Sequence, residues 1–268
     1  MTSSHILQNK HAVVFGAGGS IGGAVAKEFA AEGAEVFLAG RTKLNVEEAA
    51  KQITAAGGRA HAAVIDAVDG AAVDQYIDDL VKHTGRIDIV FNAIGPLVGD
   101  YGNGKHAVDL TVEEFMVPVT TVLKSQFITA RAAARHMVKQ HSGVIIFLTS
   151  STARGHVEGA TALGAAHGAV ETLMENLAVE VSPVGVRVVC LRMTANIDSR
   201  AIQQTMDVLA NKMNATKDQV MAYMASLNFL KVPASVSDTA KLAALLASDR
   251  VRMMTGTVVN STAGAAAD

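Results

Sequence analysis

Residue types that would indicate export or a disulfide framework are scarce in this sequence. Among 268 residues there is one cysteine, Cys190, and no tryptophan. A single cysteine excludes an intramolecular disulfide, and its apolar surroundings predict a small core residue in a reducing compartment. No stretch reaches about 18 consecutive apolar residues, and the N-terminal residues lack the apolar segment of a signal peptide. We therefore expect a cytoplasmic protein that does not span a membrane.

The charged residues give no sign of a polyanionic partner or a metal ion. Lysine and arginine total 23 against 25 acidic residues, and the basic residues never form a run of five. This balance argues against nucleic acid and anionic membranes as partners. No two of the nine histidines are spaced four apart around a glutamate, and no cysteine pair exists, so no metal site is predicted.

Seven short apolar runs alternate with longer helical patterns along the whole chain. The runs cover residues 12–15, 36–39, 62–65, 87–91, 144–148, 186–191 and 256–260. Strands that are almost continuously hydrophobic are buried on both faces, as in a parallel sheet covered by helices on both sides. We therefore expect one α/β domain over residues 1–268, built on a doubly wound, seven-stranded parallel sheet.

One segment interrupts the regular alternation of strands and helices. Residues 199–230 are helical in pattern and rich in methionine, and they lie between the sixth and seventh predicted strands. Methionine side chains adapt to apolar ligands of varied shape. We interpret this segment as a lid over a small-molecule substrate.

A glycine-rich turn follows the first predicted strand and opens into a helix: F15-G16-A-G18-G-S20-I21-G22. Gly16 allows a tight turn, Gly18 lets the backbone approach a pyrophosphate, and Gly22 lets the helix pack against the sheet. The phosphates would then meet the positive end of a helix, with Ser20 and Ile21 in its first turn. The alternative is a structural turn without a nucleotide.

The spacing of these glycines resembles that of the short-chain dehydrogenase/reductase superfamily, whose usual form is T-G-x-x-x-G-I-G. Phe15 stands where threonine is usual, and Ser20 where the middle glycine is usual. The string G143-V-I-I-F-L-T-S-S151, the helix from Gly168 and the ending T-G-T-V-V-N are also similar to the family. The resemblance covers nearly the whole chain and implies a Rossmann-type fold that binds a nicotinamide dinucleotide.

The residues after the second strand favour NADP over NAD. Gly40 has no carboxylate to repel a 2′-phosphate, and Arg41 can bind one with two parallel hydrogen bonds. An ordinary surface arginine is the alternative. The resemblance further implies that Asp66 contacts the adenine and that the turn from Asn92 to Gly95 lines the cofactor cleft. Asp66 could alternatively cap the helix that begins near Asp69, and the two interpretations are compatible.

Catalysis in the family uses an asparagine, a serine, a tyrosine and a lysine four residues after the tyrosine. Counting along the resemblance maps the serine to Ser151, the tyrosine to Leu163, the lysine to His167 and the asparagine to Val122. In the register of the related enoyl reductases, the tyrosine position falls on Ala160. In neither register is the tyrosine present, so we expect an atypical active site.

Two histidines and two tyrosines remain as substitutes for the missing groups. His167 can bind the ribose or shuttle a proton, or serve only as a structural group, and His156 lies in the loop after the serines. Tyr101 and Tyr223 could reach the cleft, although structural roles are equally open.

The sequence therefore predicts an NADP(H)-binding oxidoreductase for a carbonyl, alcohol or enone substrate, with Ser151 and His167 as catalytic candidates. A non-redox enzyme on the same scaffold, such as an isomerase, lyase or cyclase, is one alternative. A noncatalytic dinucleotide-binding protein is another. The resemblance also implies a homo-oligomer, a tetramer or a dimer.

Overall fold

The computed structural model describes residues 5–154 and 157–266 and has a seven-stranded sheet at its centre. The strands are β1 (His11–Phe15), β2 (Glu35–Gly40), β3 (Arg59–Val64), β4 (Ile89–Asn92), β5 (Gly143–Ser150), β6 (Val186–Met193) and β7 (Thr257–Ser261). Their spatial order is β3-β2-β1-β4-β5-β6-β7, and every neighbouring pair is parallel. The predicted Rossmann-type, doubly wound sheet is confirmed.

Helices cover both faces of this sheet. They are α1 (Ser20–Ala31), α2 (Lys43–Ala55), α3 (Gly70–Thr84), α4 (Val112–Pro118), α5 (Lys124–Gln140), α6 (Thr161–Val181), α7 (Arg200–Met213), α8 (Lys217–Ser226) and α9 (Val236–Ala247). Successive side chains of a strand point to opposite faces. Val13 and Phe15 of β1 therefore pack in one core, with α3, α5 and α6. Ala12 and Val14 pack in a second core on the opposite face, with α1, α2 and α9.

The edge strand β3 begins three residues earlier than its apolar run predicts. Arg59 and His61 belong to the strand, and both interact with Glu35 on β2. The Nε2 atom of His61 lies 2.7 Å from the Glu35 carboxylate, and its ring stacks on Phe37. An edge strand has one side without a neighbouring strand, so cross-strand ion pairs can replace apolar burial there.

The helical stretch over residues 112–140 is interrupted near its middle. Val119–Leu123 form a π-helical turn between α4 and α5, directly after Pro118. Proline supplies no backbone N–H, and the Thr121 hydroxyl donates to the carbonyl oxygen of Val117 at 2.6 Å. Such turns redirect a helix, and this one contains Val122, which the family resemblance places at the asparagine position.

The segment over residues 199–230 forms α7 and α8, as its helical pattern predicts. The residues that flank the segment are joined by a short parallel bridge between Asn196 and Ala234. Met206 is buried, whereas Tyr223 is half exposed. No helix within the described part of the chain has both the length and the apolarity needed to cross a bilayer.

Candidate active site

The candidate site lies at the carboxyl edge of the sheet, where the strand order reverses between β1 and β4. Gly16 follows β1 with φ of +75°, and a Cβ atom there would lie 2.9 Å from the carbonyl carbon of Ala93, which follows β4. Glycine is needed both for this backbone conformation and for the close approach. In doubly wound sheets, the crevice at such a reversal is where nucleotides bind.

The glycine turn presents an open helix end to this crevice. At the start of α1, Gly19 offers no capping side chain, and the first turn contains no acidic residue. The backbone N–H groups of that turn therefore lack side-chain partners, and the helix dipole favours an anion beside them. A Cβ on Gly22 would overlap the carbonyl oxygen of Gly16, so the helix can approach the turn only with glycine there. These features fit a pyrophosphate.

Two of the predicted cofactor residues sit in that first turn, and one has a distant partner. Ser20 and Ile21 begin α1, and the Ser20 hydroxyl accepts a hydrogen bond from the backbone N–H of Arg200 at 3.0 Å. Arg200 is the first residue of α7. The glycine turn and the start of the 199–230 segment are therefore in direct contact.

Arg41 is exposed immediately after β2, beside the start of α2. It forms no ion pair with any residue that the structure describes, and Thr42, at the N-terminus of α2, makes no capping hydrogen bond. A Cβ on Gly40 would lie 2.8 Å from Val46, so the end of β2 packs closely against α2. An arginine and an uncapped helix end together suit a phosphate group.

Asp66 and the nearby acid Asp69 have different roles at the end of β3. The Asp66 carboxylate accepts the backbone N–H of Val68 at 3.2 Å, which shapes the turn after the strand. Asp69 caps α3 by accepting the N–H groups of Ala71 and Ala72. The alternative interpretation of Asp66 as the helix cap is therefore wrong.

Asn92 is buried and shapes the loop after β4. Its amide nitrogen donates to the Thr129 hydroxyl at 2.9 Å, and its oxygen accepts the N–H of Ile94 at 2.8 Å. Gly95 is exposed in the same loop. Asn92 thus fixes the turn that faces Gly16, while its own polar atoms are already bonded within the protein.

A cluster of two hydroxyls and an imidazole lies at the end of β5. The Nδ1 atom of His167 is 3.0 Å from the Ser150 Oγ and 2.9 Å from the Thr152 Oγ1. The two hydroxyl oxygens are 2.7 Å apart. The structure thus brings Ser150, rather than its neighbour Ser151, together with His167, because the last side chain of β5 points towards α6.

Burial controls the charge of His167, which is 8 % exposed. Removal from water lowers the pKa of the imidazole to about 4, against an opposing effect of the Glu171 carboxylate. At neutral pH the ring is therefore uncharged and has one donor and one acceptor nitrogen. It can orient hydroxyl groups and donate one hydrogen bond, but it supplies no positive charge.

The other predicted positions contribute no polar group to the cluster. Leu163 lies on α6 one turn before His167 and packs against the core, and Val122 is fully buried in the π-helical turn. Tyr101 is buried, which raises the pKa of its hydroxyl, and Tyr223 lies on α8. His156 falls outside the described residues.

A buried ion pair beneath the cluster was not predicted from the sequence. Arg192 on β6 donates from Nε and Nη2 to the two carboxylate oxygens of Glu171 on α6, at 2.8 and 2.9 Å. Both side chains are about 2 % exposed. A second arginine near the end of a largely apolar strand was the signal in the sequence. Within residues 5–154 and 157–266 no group of histidine, cysteine and acidic side chains could hold a metal ion.

Comparison with known proteins identifies the family. A model of the short chain dehydrogenases matches residues 10–205. The chain belongs to this family. Versicolorin reductase 1 of Aspergillus parasiticus is 30% identical over 271 residues, which cover 99% of each chain. The short-chain reductase protein NovJ of Streptomyces niveus is 28% identical and covers 98% of this chain and 96% of its own.

Solved structures of the family have the same fold. A dehydrogenase/reductase from Sinorhizobium meliloti 1021 superimposes with a TM-score of 0.83 at 26% identity, covering 98% of both chains. An actinorhodin polyketide ketoreductase with NADPH gives a TM-score of 0.87 at 18% identity, covering 96% of this chain and 97% of its own, and at that identity shows the fold alone. The chain is thus an oxidoreductase of a family that binds NAD(P).

Proposed function

We propose that this chain is an NADP(H)-dependent oxidoreductase that acts on a carbonyl, alcohol or enone substrate through an atypical site. The observation that carries the proposal is the contact of His167 with the hydroxyls of Ser150 and Thr152. This cluster shares one edge of the sheet with the open glycine turn. Binding groups for a dinucleotide and polar groups for a substrate therefore lie at the carboxyl ends of β1 and β5, which are two positions apart in the sheet.

Arg41 supports NADP as the cofactor. Gly16, Gly18 and Gly22 form the turn that would hold the pyrophosphate, and Arg41 is exposed where a 2′-phosphate would need a partner. A charge-assisted, bidentate contact of this kind contributes about 1.5–3 kcal/mol. NAD lacks that phosphate and would gain nothing from Arg41.

Each residue of the cluster has a separate role in the proposed reaction. A bound nicotinamide would supply or accept the hydride. We assign the orientation of the substrate oxygen to Ser150 rather than Ser151, because Ser150 is the one held by His167. In this proposal the imidazole proton is on Nε2, from which it can donate to a ribose hydroxyl, and Nδ1 accepts from one hydroxyl at a time. The Thr152 hydroxyl keeps that bond when the Ser150 hydroxyl turns to donate to the substrate oxygen. With the ring neutral, the proton for the substrate comes from water through these hydroxyls.

The 199–230 segment is proposed to cover an apolar substrate. Met213, Tyr223, Leu227, Phe229 and Leu230 are exposed on it or at its end. Exposed apolar side chains beside a cleft are typical of ligand-binding surfaces. The similarity to versicolorin reductase makes versicolorin the first substrate to test.

A homo-oligomer, a tetramer or a dimer, is part of the same proposal. Val112, Met116 and Phe127 are exposed on α4 and α5, and Val179 is exposed on α6. Light scattering of the purified protein, with Phe127→Glu as the disrupting variant, measures this. A wild-type monomer would contradict it.

Titration of both cofactors tests the choice of NADP. Arg41→Asp should weaken NADPH binding by about 10- to 100-fold, as expected for the loss of a charge-assisted bidentate contact, and leave NADH binding nearly unchanged. Lys51→Asp, an exposed change of the same charge on α2, is the matched control and should change neither. Tighter binding of NADH than of NADPH by the wild type would contradict the assignment.

Turnover tests the redox proposal and separates it from its alternatives. The oxidation of NADPH is followed by absorbance over a panel of ketones, aldehydes and enones. Ser150→Ala should lower kcat by about 100-fold, and Ser151→Ala should leave it close to wild type. NADPH binding without oxidation on any substrate would favour a non-redox enzyme or a noncatalytic binder, and a failure to bind either cofactor would contradict all three.

A further inference from the structure

Glu171 is the most deeply buried acid near the cluster, and the redox proposal gives it no role. It lies on α6 one helical turn after His167, so the two side chains share a face of the helix. The residue is 1% exposed. A carboxylate is retained at such a depth only when several donors replace its water.

The carboxylate of Glu171 binds three separate elements. Arg192 of β6 holds both oxygens, and the hydroxyl of Thr149 on β5 donates to Oε1 at 3.0 Å. The Nε atom of Arg154 lies 3.5 Å from Oε2. Arg154 follows the short turn at the end of β5 and is the exposed member of the set, with 61% of its side chain accessible.

These contacts bracket the two hydroxyls that touch His167. Thr149 precedes Ser150, and Arg154 follows Thr152 by two residues. The segment 149–154 is thus tied to Glu171 at both ends, while its middle meets the imidazole one turn earlier on the same helix. One carboxylate fixes the distance between that segment and α6.

We propose that Glu171 is the positioning residue of the site, holding segment 149–154 so that the hydroxyls of Ser150 and Thr152 meet Nδ1 of His167. Arg192 neutralises the carboxylate and fixes its orientation. The catalytic role of the two hydroxyls rests on the function proposed above, whereas the positioning by Glu171 does not.

Stability alone does not account for the pair. Buried ion pairs can often be replaced by apolar side chains of similar size without loss of stability. A pair kept only for stability would also need no contact with the exposed Arg154. The placement of the carboxylate between the segment and the helix instead matches a geometric role.

The test uses an imidazole signal that requires neither cofactor nor substrate. Histidine labelled with ¹⁵N is incorporated, and the resonance of His167 is assigned from its loss in His167→Asn. In the wild type, Nδ1 should show the shift of a nitrogen that accepts hydrogen bonds. In the double variant Glu171→Leu with Arg192→Met, which leaves no unpaired buried charge, that shift should move towards a free nitrogen while circular dichroism stays unchanged.

Arg154→Gln is the second variant, because an exposed side chain can be changed without risk to the fold. It should move the His167 signal in the same direction by a smaller amount. Arg135→Gln, which removes a contact to Asp74 on α3, is the matched control and should leave the signal in place. On the substrate found in the turnover panel, the double variant should lower kcat by about 100-fold with little change in KM.

An unchanged His167 signal in the folded double variant would overturn the inference. If that variant does not fold, an unchanged signal in Arg154→Gln overturns it. Because the spectra are recorded without ligands, a shifted signal together with no redox turnover would uphold the positioning role and refute the proposed function. An unshifted signal together with normal turnover would refute the positioning role and support the proposed function.

Discussion

The neutral state of His167 makes the stability of the protein depend on pH. Unfolding restores the ordinary pKa of 6.5, whereas burial keeps the folded value at about 4. Between these values the unfolded chain binds a proton that the folded chain excludes, so the free energy of unfolding falls as the pH falls. At about 1.4 kcal/mol per pH unit, the total loss is about 3 kcal/mol. Roughly 2 kcal/mol of it is already lost at about pH 5.

Urea unfolding of the wild type and of His167→Asn at fixed protein concentration measures this loss. The asparagine oxygen can accept the same hydroxyl bonds but does not titrate. The stability advantage of the wild type over the variant should therefore shrink by about 2 kcal/mol between about pH 7.5 and about pH 5. His83→Asn, at an exposed position on α3, is the matched control. A difference between wild type and His167→Asn that does not change with pH would refute the reasoning.

Two further outcomes concern the helices that frame the site. Gly22→Ala would push a methyl group into the carbonyl oxygen of Gly16 and should destabilise the protein by about 1–3 kcal/mol. Gly168→Ala meets open space inside a helix and should stabilise the protein by about 0.5–1 kcal/mol. Equal urea midpoints for the two variants would contradict this. Leu163→Tyr combined with His167→Lys should raise ketone turnover by about 100-fold. Unchanged turnover would show that the site lacks more than a proton donor and its cation.

The sheet could be predicted because its interior strands consist almost entirely of apolar residues, as burial on both faces requires. Residues 12–15 and 144–148 are apolar throughout, and both proved to be central strands. The start of β3 could not be predicted in this way. Arg59 and His61 are stabilised by Glu35 on the neighbouring strand, and a pairing across 24 or more residues leaves no periodic pattern in the sequence.

The sequence indicated which segments contain the candidate site, but not which of their atoms are in contact. Counting along the resemblance selects Ser151, whereas the direction of the last side chain of β5 brings Ser150 to His167. The position of His167 was predicted, but its neutral state depends on burial by residues far along the chain. Glu171 and Arg192 are 21 residues apart, and nothing in the sequence shows that a polar residue of a helix pairs with an arginine near the end of a strand.

The hydrogen bond between Ser20 and the backbone of Arg200 joins two regions to which separate tasks are assigned. Ser20 belongs to the turn expected to hold the dinucleotide, and Arg200 begins the segment expected to enclose the substrate. Any ligand that breaks or reinforces this bond changes the energy of both regions at once. Thermodynamic linkage is reciprocal, so a substrate that orders α7 must alter the affinity for the dinucleotide by the same factor by which the dinucleotide alters the affinity for the substrate.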